Sequence, residues 1–164
     1  MRRKPNAKAG STPYTQISNR AFYAFFLSFA YLLLFSATSF GATVGFTAVK
    51  NVKPVKVEVA DTPAKWQKGL MFRDSLAANS GMWFAFPKPA PLRFWMKNVK
   101  FPIDIVFIST DYVIGKIWSS VPPCKAEPCP LYDAGFNAMF VIELQAGFCN
   151  KNGITEGQKV EYRP

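Results

Sequence analysis

Ile103-Asp104-Ile105-Val106-Phe107-Ile108, then Ser109-Thr110-Asp111-Tyr112, then Val113-Ile114-Gly115-Lys116-Ile117-Trp118, decides the fold class. Two short apolar runs rich in β-branched residues flank a polar turn. Each is too short for a helix of ordinary length, so the pair reads as a hairpin with Thr110-Asp111 at its turn. The same pattern repeats on both sides. Val55–Val59 alternates apolar and charged residues, and Met82–Phe86, Leu92–Asn98, Ala138–Leu144 and Lys159–Tyr162 read as further strands. Pro87–Pro91 and Val121–Pro130 are proline-rich and read as loops. Two helical pieces are expected. Asp61-Thr62-Pro63 offers an N-cap with proline at the first helical position, so Thr62 to about Phe72 forms a short helix with Trp66 and Leu70 on one face. Phe148–Asn152 makes a helical turn stopped by Gly153. The expected fold is mainly β (α+β): one compact antiparallel sheet or barrel-like domain with one or two short helices.

The chain has 164 residues, and its composition divides it. Residues 1–20 carry five cations and no acid. Ala21–Ala42 is uncharged and holds eight aromatic residues, long enough as a helix to span the hydrocarbon core of a membrane. It reads as a signal peptide, cut before Phe40 or Ala42, or as a retained transmembrane anchor. With the cations staying inside, either reading exports the rest of the chain to the periplasm or the outer face of the cytoplasmic membrane. Residues 43–54 read as a linker, and 55–164 as the β-rich domain.

All ten acidic residues lie at or beyond Glu58, and the formal charge of +10 is shared equally between the head and the residues from Lys50 on. There is no histidine. That removes Ser-His-Asp and Cys-His nucleophile systems and any histidine zinc site. Nothing forms a glycine-rich phosphate loop or a dense basic run, so neither a cofactor nor nucleic acid is expected.

Strand periodicity selects the candidate site. Arg93, Trp95 and Lys97 share one face of their strand, and Phe94, Met96 and Asn98 the other. Asp104 shares a face with Val106 and Ile108. A carboxylate there is costly to bury without a partner, and Arg73, Lys97 and Asn98 are the candidates. In the functional reading Asp104 with Lys97 or Arg73 floors a binding pocket walled by Trp95, Met71 and Met96. In the structural reading it is a buried ion pair that fixes strand register. A catalytic version would need Asp104 or Glu143 as base, or Lys97 or a cysteine as nucleophile, and no spacing singles out such a pair.

Cys124 and Cys129 lie close together between prolines. In an exported protein they are expected to form a disulfide. Two thiolates without histidine make a poor zinc set, so no metal is expected. Cys149 is left over, either a buried thiol or one half of an intermolecular bridge. The four tryptophans serve the core or stack on sugar rings.

Val57-Glu58-Val59-Ala60-Asp61-Thr62, Gly69-Leu70-Met71-Phe72-Arg73 and Gly81-Met82 form one block of motifs. Phe94-Trp95-Met96-Lys97-Asn98 and Pro102-Ile103-Asp104-Ile105-Val106-Phe107-Ile108 form a second. Pro122-Pro123-Cys124, Cys129-Pro130-Leu131-Tyr132 and Ala146-Gly147-Phe148 form a third. In order and spacing they resemble the family of domains of unknown function numbered 192, from about Val55 to Tyr162. Val99, Gln158 and Cys149 depart from its pattern. The resemblance implies a β-rich single domain, often behind a signal or anchor segment, and no established activity. The expected function is therefore a non-enzymatic binding or interaction module at the cell envelope, for a small molecule or an envelope component. The alternatives are an enzyme acting on envelope carbohydrate or peptide through Asp104 with Lys97 or Arg73, and a membrane-tethered accessory subunit that binds another protein.

Overall fold

The computed structural model describes residues 41–164. The signal or anchor reading of 21–42 lies almost wholly outside them. Among the described residues no helix is long and apolar enough to cross a membrane.

Among the described residues, nine strands and two short helices follow one another. They are β1 (Thr43–Phe46), β2 (Val55–Ala60), α1 (Pro63–Lys68), β3 (Ser80–Ala90), β4 (Arg93–Trp95), β5 (Ile103–Ile108), β6 (Ile114–Val121), β7 (Leu131–Asp133), β8 (Ala138–Gln145), α2 (Phe148–Asn152) and β9 (Val160–Arg163). Seven strands form one sheet in the order β6-β5-β8-β3-β2-β1-β9, and β4 pairs with β7 in a separate two-stranded ladder. The expectation of a single antiparallel sheet is corrected twice, by that second ladder and by β2 and β3, which run parallel. Two parallel neighbours cannot be joined by a tight turn. The chain between them carries α1 across the sheet.

The sheet curls into a half-barrel. Its two edges meet at one end, where Val113 bridges Lys159, Ile114 N–H donates to Gln158 C=O (2.8 Å) and Val160 N–H donates to Tyr112 C=O (2.9 Å). The concave face holds Val44, Val57, Trp83, Val106, Ile142 and Val160. The convex face holds Met82, Phe84, Ile105, Phe107 and Val141, covered by Leu70, Met96 and Val99 from the α1 and β4 segments. β5 is buried along its whole length because both of its faces are covered.

Several boundaries move, each for a local reason. Residues 43–46 are not linker. Val44 and Phe46 alternate inward and make β1, seated between β2 and β9. β3 runs on through Pro87 and Pro89 to Ala90, and pairing with β8 is interrupted between Ala85 and Ala90. The prolines fall in that irregular stretch, where no ladder donor is required. α1 is shorter than expected. Thr62 caps its start, accepting from Lys65 N–H at 3.4 Å, and Gly69 ends it at φ +43°. β4 stops at Trp95 because the chain turns at Met96 to Val99, with Asn98 at φ +57°. β7 comes directly after the expected loop and is too short to read from pattern.

Candidate functional site

Asp104 is 0 % exposed and faces the concave side. Its Oδ1 accepts from Ser120 N–H (2.7 Å) and Gly147 N–H (2.9 Å), and its Oδ2 accepts from Cys149 N–H (2.8 Å). The carboxylate thus ties β5 to β6 and satisfies backbone donors at the start of α2 that no helical carbonyl can reach. Neither Lys97 nor Arg73 is its partner. Lys97 Nζ pairs with Glu127 at 2.8 Å, and Arg73 forms a bidentate pair with Glu58. The expected ion pair is corrected for a physical reason: three backbone amides already satisfy the charge, from elements that sequence separation hides. Cys149, beside this clamp, is fully buried and unpaired. Burial first, and then the Asp104 carboxylate, push its thiol up from its ordinary range. Cys124 and Cys129 form a disulfide, with Cα atoms 5.5 Å apart.

The other buried carboxyl, Glu143, lies on the convex side. It stands opposite Met82 of β3 and Ile105 of β5 and is 4 % exposed. Its Oε2 is fully buried and has no hydrogen-bond partner. Burial raises its pKa from 4.5 to about 8, although the Arg73 charge pulls the other way. It is therefore mostly an uncharged acid at neutral pH.

Glu143 floors a cavity of about 30 Å³ walled by Trp66, Leu70, Phe84, Phe94 and Val99. Gly69 closes one side. A Cβ there would come within 3.4 Å of the Phe84 ring and 3.9 Å of Glu143 Oε2. Gln67, Lys68, Met71 and Trp95 line this cavity and also a groove of about 370 Å³, so the two are contiguous. Ala64, Phe72, Lys97 and Asn98 complete the groove. Phe72 is 66 % exposed and Trp95 42 %. Lys97 Nζ sits 5.5 Å from the Trp95 ring centroid, within cation–π range. Phe72 and Asn98 both have positive φ, at +65° and +57°, and Phe72 N–H donates to Asn98 C=O at 2.8 Å. A bulky aromatic residue seldom adopts that conformation, and such strain collects at ligand sites.

The structure therefore brings together Trp95, Lys97 and Asn98. It places Arg73 beside them, on Glu58, and puts Asp104 on the opposite face of the sheet. Residues that sequence reading did not assign to the site are Gly69, Phe84, Phe94 and, as a pocket floor, Glu143. Glu143 carries the same signal in the sequence as Asp104, because it too is a lone carboxylate among apolar strand residues. A larger hollow of about 560 Å³ lies at Pro91, Arg93, Asp133 and Phe136. It holds no buried polar side chain and carries less chemistry. Among the described residues no three His, Cys, Asp or Glu side chains are grouped to hold a metal.

Three of the four tryptophans are built into the fold. Trp83 is buried in a stack with Phe140 and Tyr162, at 5.1 Å from each. Trp66 donates to Ala60 and Ala85 C=O, and Trp118 donates to Asp133 C=O. Trp95 alone of the four presents its ring to the groove.

With this geometry in place, comparison with known proteins adds the lineage. One family model, described as an uncharacterised ACR, matches residues 46–162. The chain belongs to the family of domains of unknown function numbered 192. Two solved structures are similar to this domain-192 protein. One is a protein from Sinorhizobium meliloti 1021 that carries the name of a candidate transcription regulator. It is 30% identical, with 74% of this chain and 91% of that chain covered and a TM-score of 0.66. The other is a protein of unknown function from Novosphingobium aromaticivorans DSM 12444. It is 32% identical, with 73% of this chain and 82% of that chain covered and a TM-score of 0.65. No match is found among curated proteins.

Proposed function

We propose that this domain-192 protein is a non-enzymatic binding module of the cell envelope, and that its ligand site is the cleft between α1 and β4. The observation that carries the reading is Glu143, a buried carboxyl with an unpartnered oxygen beneath an open groove. An unsatisfied buried oxygen costs about 1–3 kcal/mol, which a bound group that completes it would recover. Trp95 and Phe72 at the mouth offer apolar area for the rest of a ligand. The basic head and the uncharged stretch of 21–42 support the envelope placement. The enzyme alternative loses its geometric support, because Asp104 is sealed behind three backbone amides and lies away from Lys97 and Arg73.

The test is a thermal-shift screen of the purified full chain against sugars, peptidoglycan fragments, nucleotides, amino acids and metal ions. Binding to the native state raises the melting temperature by mass action. The expected result is a rise for one class of small molecule that Trp95→Ala abolishes. A blank across the panel, or a rise indifferent to Trp95→Ala, overturns the cleft and moves the reading to the accessory subunit with a protein partner. Turnover of a carbohydrate or peptide overturns the non-enzymatic assignment.

A further inference from the structure

We propose that the buried end of the cleft receives a primary carboxamide, an uncharged head group that donates and accepts a hydrogen bond, and that the Glu143 carboxyl, whose Oε2 lacks a partner, reads it. The inference rests on the binding reading above and adds the chemistry of the ligand's inserted end.

Size comes first. The cavity of about 30 Å³ exceeds the roughly 10–15 Å³ that one water requires, but it is far smaller than a ring. A head group of a few heavy atoms fits, with the remainder of the ligand lying in the groove along Met71 and Trp95.

The walls then select among small polar groups. Phe84, Phe94, Leu70 and Val99 offer no hydrogen bonds. The Trp66 indole N–H is already committed to Ala60 C=O at 3.0 Å and Ala85 C=O at 3.1 Å. Glu143 is thus the buried polar side chain at the floor, and an inserted carboxylate would meet a second carboxyl there and find side-chain donors only in the exposed Gln67 and Lys68. An inserted ammonium would meet Lys68, which lines the same cavity, and the Arg73 charge that already acts on Glu143. Both ions would also lose their hydration in an apolar cavity. A carboxamide avoids each cost. Its carbonyl accepts from the acid O–H while its N–H donates to the other carboxyl oxygen. The two groups close a neutral, doubly hydrogen-bonded pair, and Oε2 gains the partner it lacks.

The charged groups bearing on Glu143 are Lys68 from α1 and Arg73 from the segment after it, the latter held by Glu58 of β2. Met82 and Phe84 of β3, Phe94 of β4 and Ile105 of β5 stand around it, and none of them titrates. Burial keeps the acid protonated until about pH 8, so carboxamide affinity is expected to fall above that pH.

The experiment titrates the full-chain protein with three small probes on the same three-carbon chain, propionamide, propylammonium and propionate, and follows backbone amide resonances by NMR. Propionamide is expected to shift Gly69 and Phe84 selectively, at least about tenfold more tightly than either ion. Glu143→Gln preserves shape, donor and acceptor, so affinity is expected to stay within about threefold and to become independent of pH. Glu143→Leu is expected to lose about tenfold or more. If the leucine variant does not fold, the glutamine variant still decides. Stronger binding of propionate or propylammonium overturns the inference, as does a Glu143→Gln protein that no longer binds propionamide. Failure of all three probes while a Trp95-dependent ligand still binds overturns the carboxamide assignment and leaves the cleft standing. Loss of Trp95-dependent binding altogether refutes both.

Discussion

Asp104 and Glu143 are both shut away from water, on opposite faces of one sheet, and their surroundings do opposite things to them. Asp104 accepts three backbone N–H bonds and clamps β6 and the start of α2 to β5. Glu143 Oε2 accepts none, and burial holds Glu143 as a neutral acid up to about pH 8. The difference has a thermodynamic sign. Below its unfolded pKa near 4.5, Glu143 is protonated in both states and has no effect. Between 4.5 and about 8 the folded protein keeps a proton that the unfolded chain releases, so stability falls as pH rises. The full effect is at most about 5 kcal/mol. Glu58 acts in the reverse sense. Its hydrogen bond to Arg73 lowers its pKa, so its contribution is present above the unfolded value and is lost as pH falls through the folded one. Urea unfolding from pH 5 to pH 8 is expected to show declining stability, and Glu143→Gln to flatten the decline and stabilise the protein at the alkaline end. An unchanged slope in that variant would show that another group is responsible. At this scale the sequence revealed that a carboxylate among apolar strand residues needs a partner. It did not reveal the partner. Backbone amides leave no mark in residue identity, and Ser120, Gly147 and Cys149 lie 16 to 45 residues from Asp104.

The loop between β6 and β7 shows how an element shapes the groove without lining it. It carries the Cys124–Cys129 disulfide and Glu127, whose carboxylate holds Lys97 at the groove rim. Closing a loop of six residues restricts the unfolded chain by about 2 kcal/mol on the chain-entropy model. Reduction is therefore expected to lower the melting temperature by several degrees. Alkylation mass should show two newly modified cysteines in the native state, with Cys149 protected by its burial. An oxidised protein already carrying alkylated Cys124 and Cys129 would contradict the pairing. Element boundaries were legible in the sequence where a pattern was self-contained, as in β5 and α2. They failed where neighbours intervened. Pro87 and Pro89 read as loop because a proline cannot donate to a ladder. Strand β3 nevertheless passes through them where its pairing with β8 is irregular. β1 read as linker because four residues carry too little pattern until β2 and β9 flank them.

For the whole molecule, the curled sheet separates two jobs. Its concave side is filled by side chains and sealed at one end by the meeting of β6 and β9. Its convex side carries the cleft. The envelope placement is tested at this scale, by fractionating cells that make the full chain and weighing the product. The expected result is recovery in the membrane or exported fraction, beginning at Phe40 or Ala42 if the head is cleaved and retaining it if it is an anchor. Full-length protein free in the cytoplasm would refute the placement. The sequence by itself determined that the fold is mainly β with short helices, the disulfide pair and the family, because short apolar runs, close cysteines and ordered motifs are local properties of a chain. Only the tertiary structure decided which carboxyl stands unpartnered beneath a groove. Alternation assigns a residue to one face of a strand, but the curl of the sheet and the elements laid over it decide what that face meets. Asp104 thus met three amides, and Glu143 met an aromatic cavity.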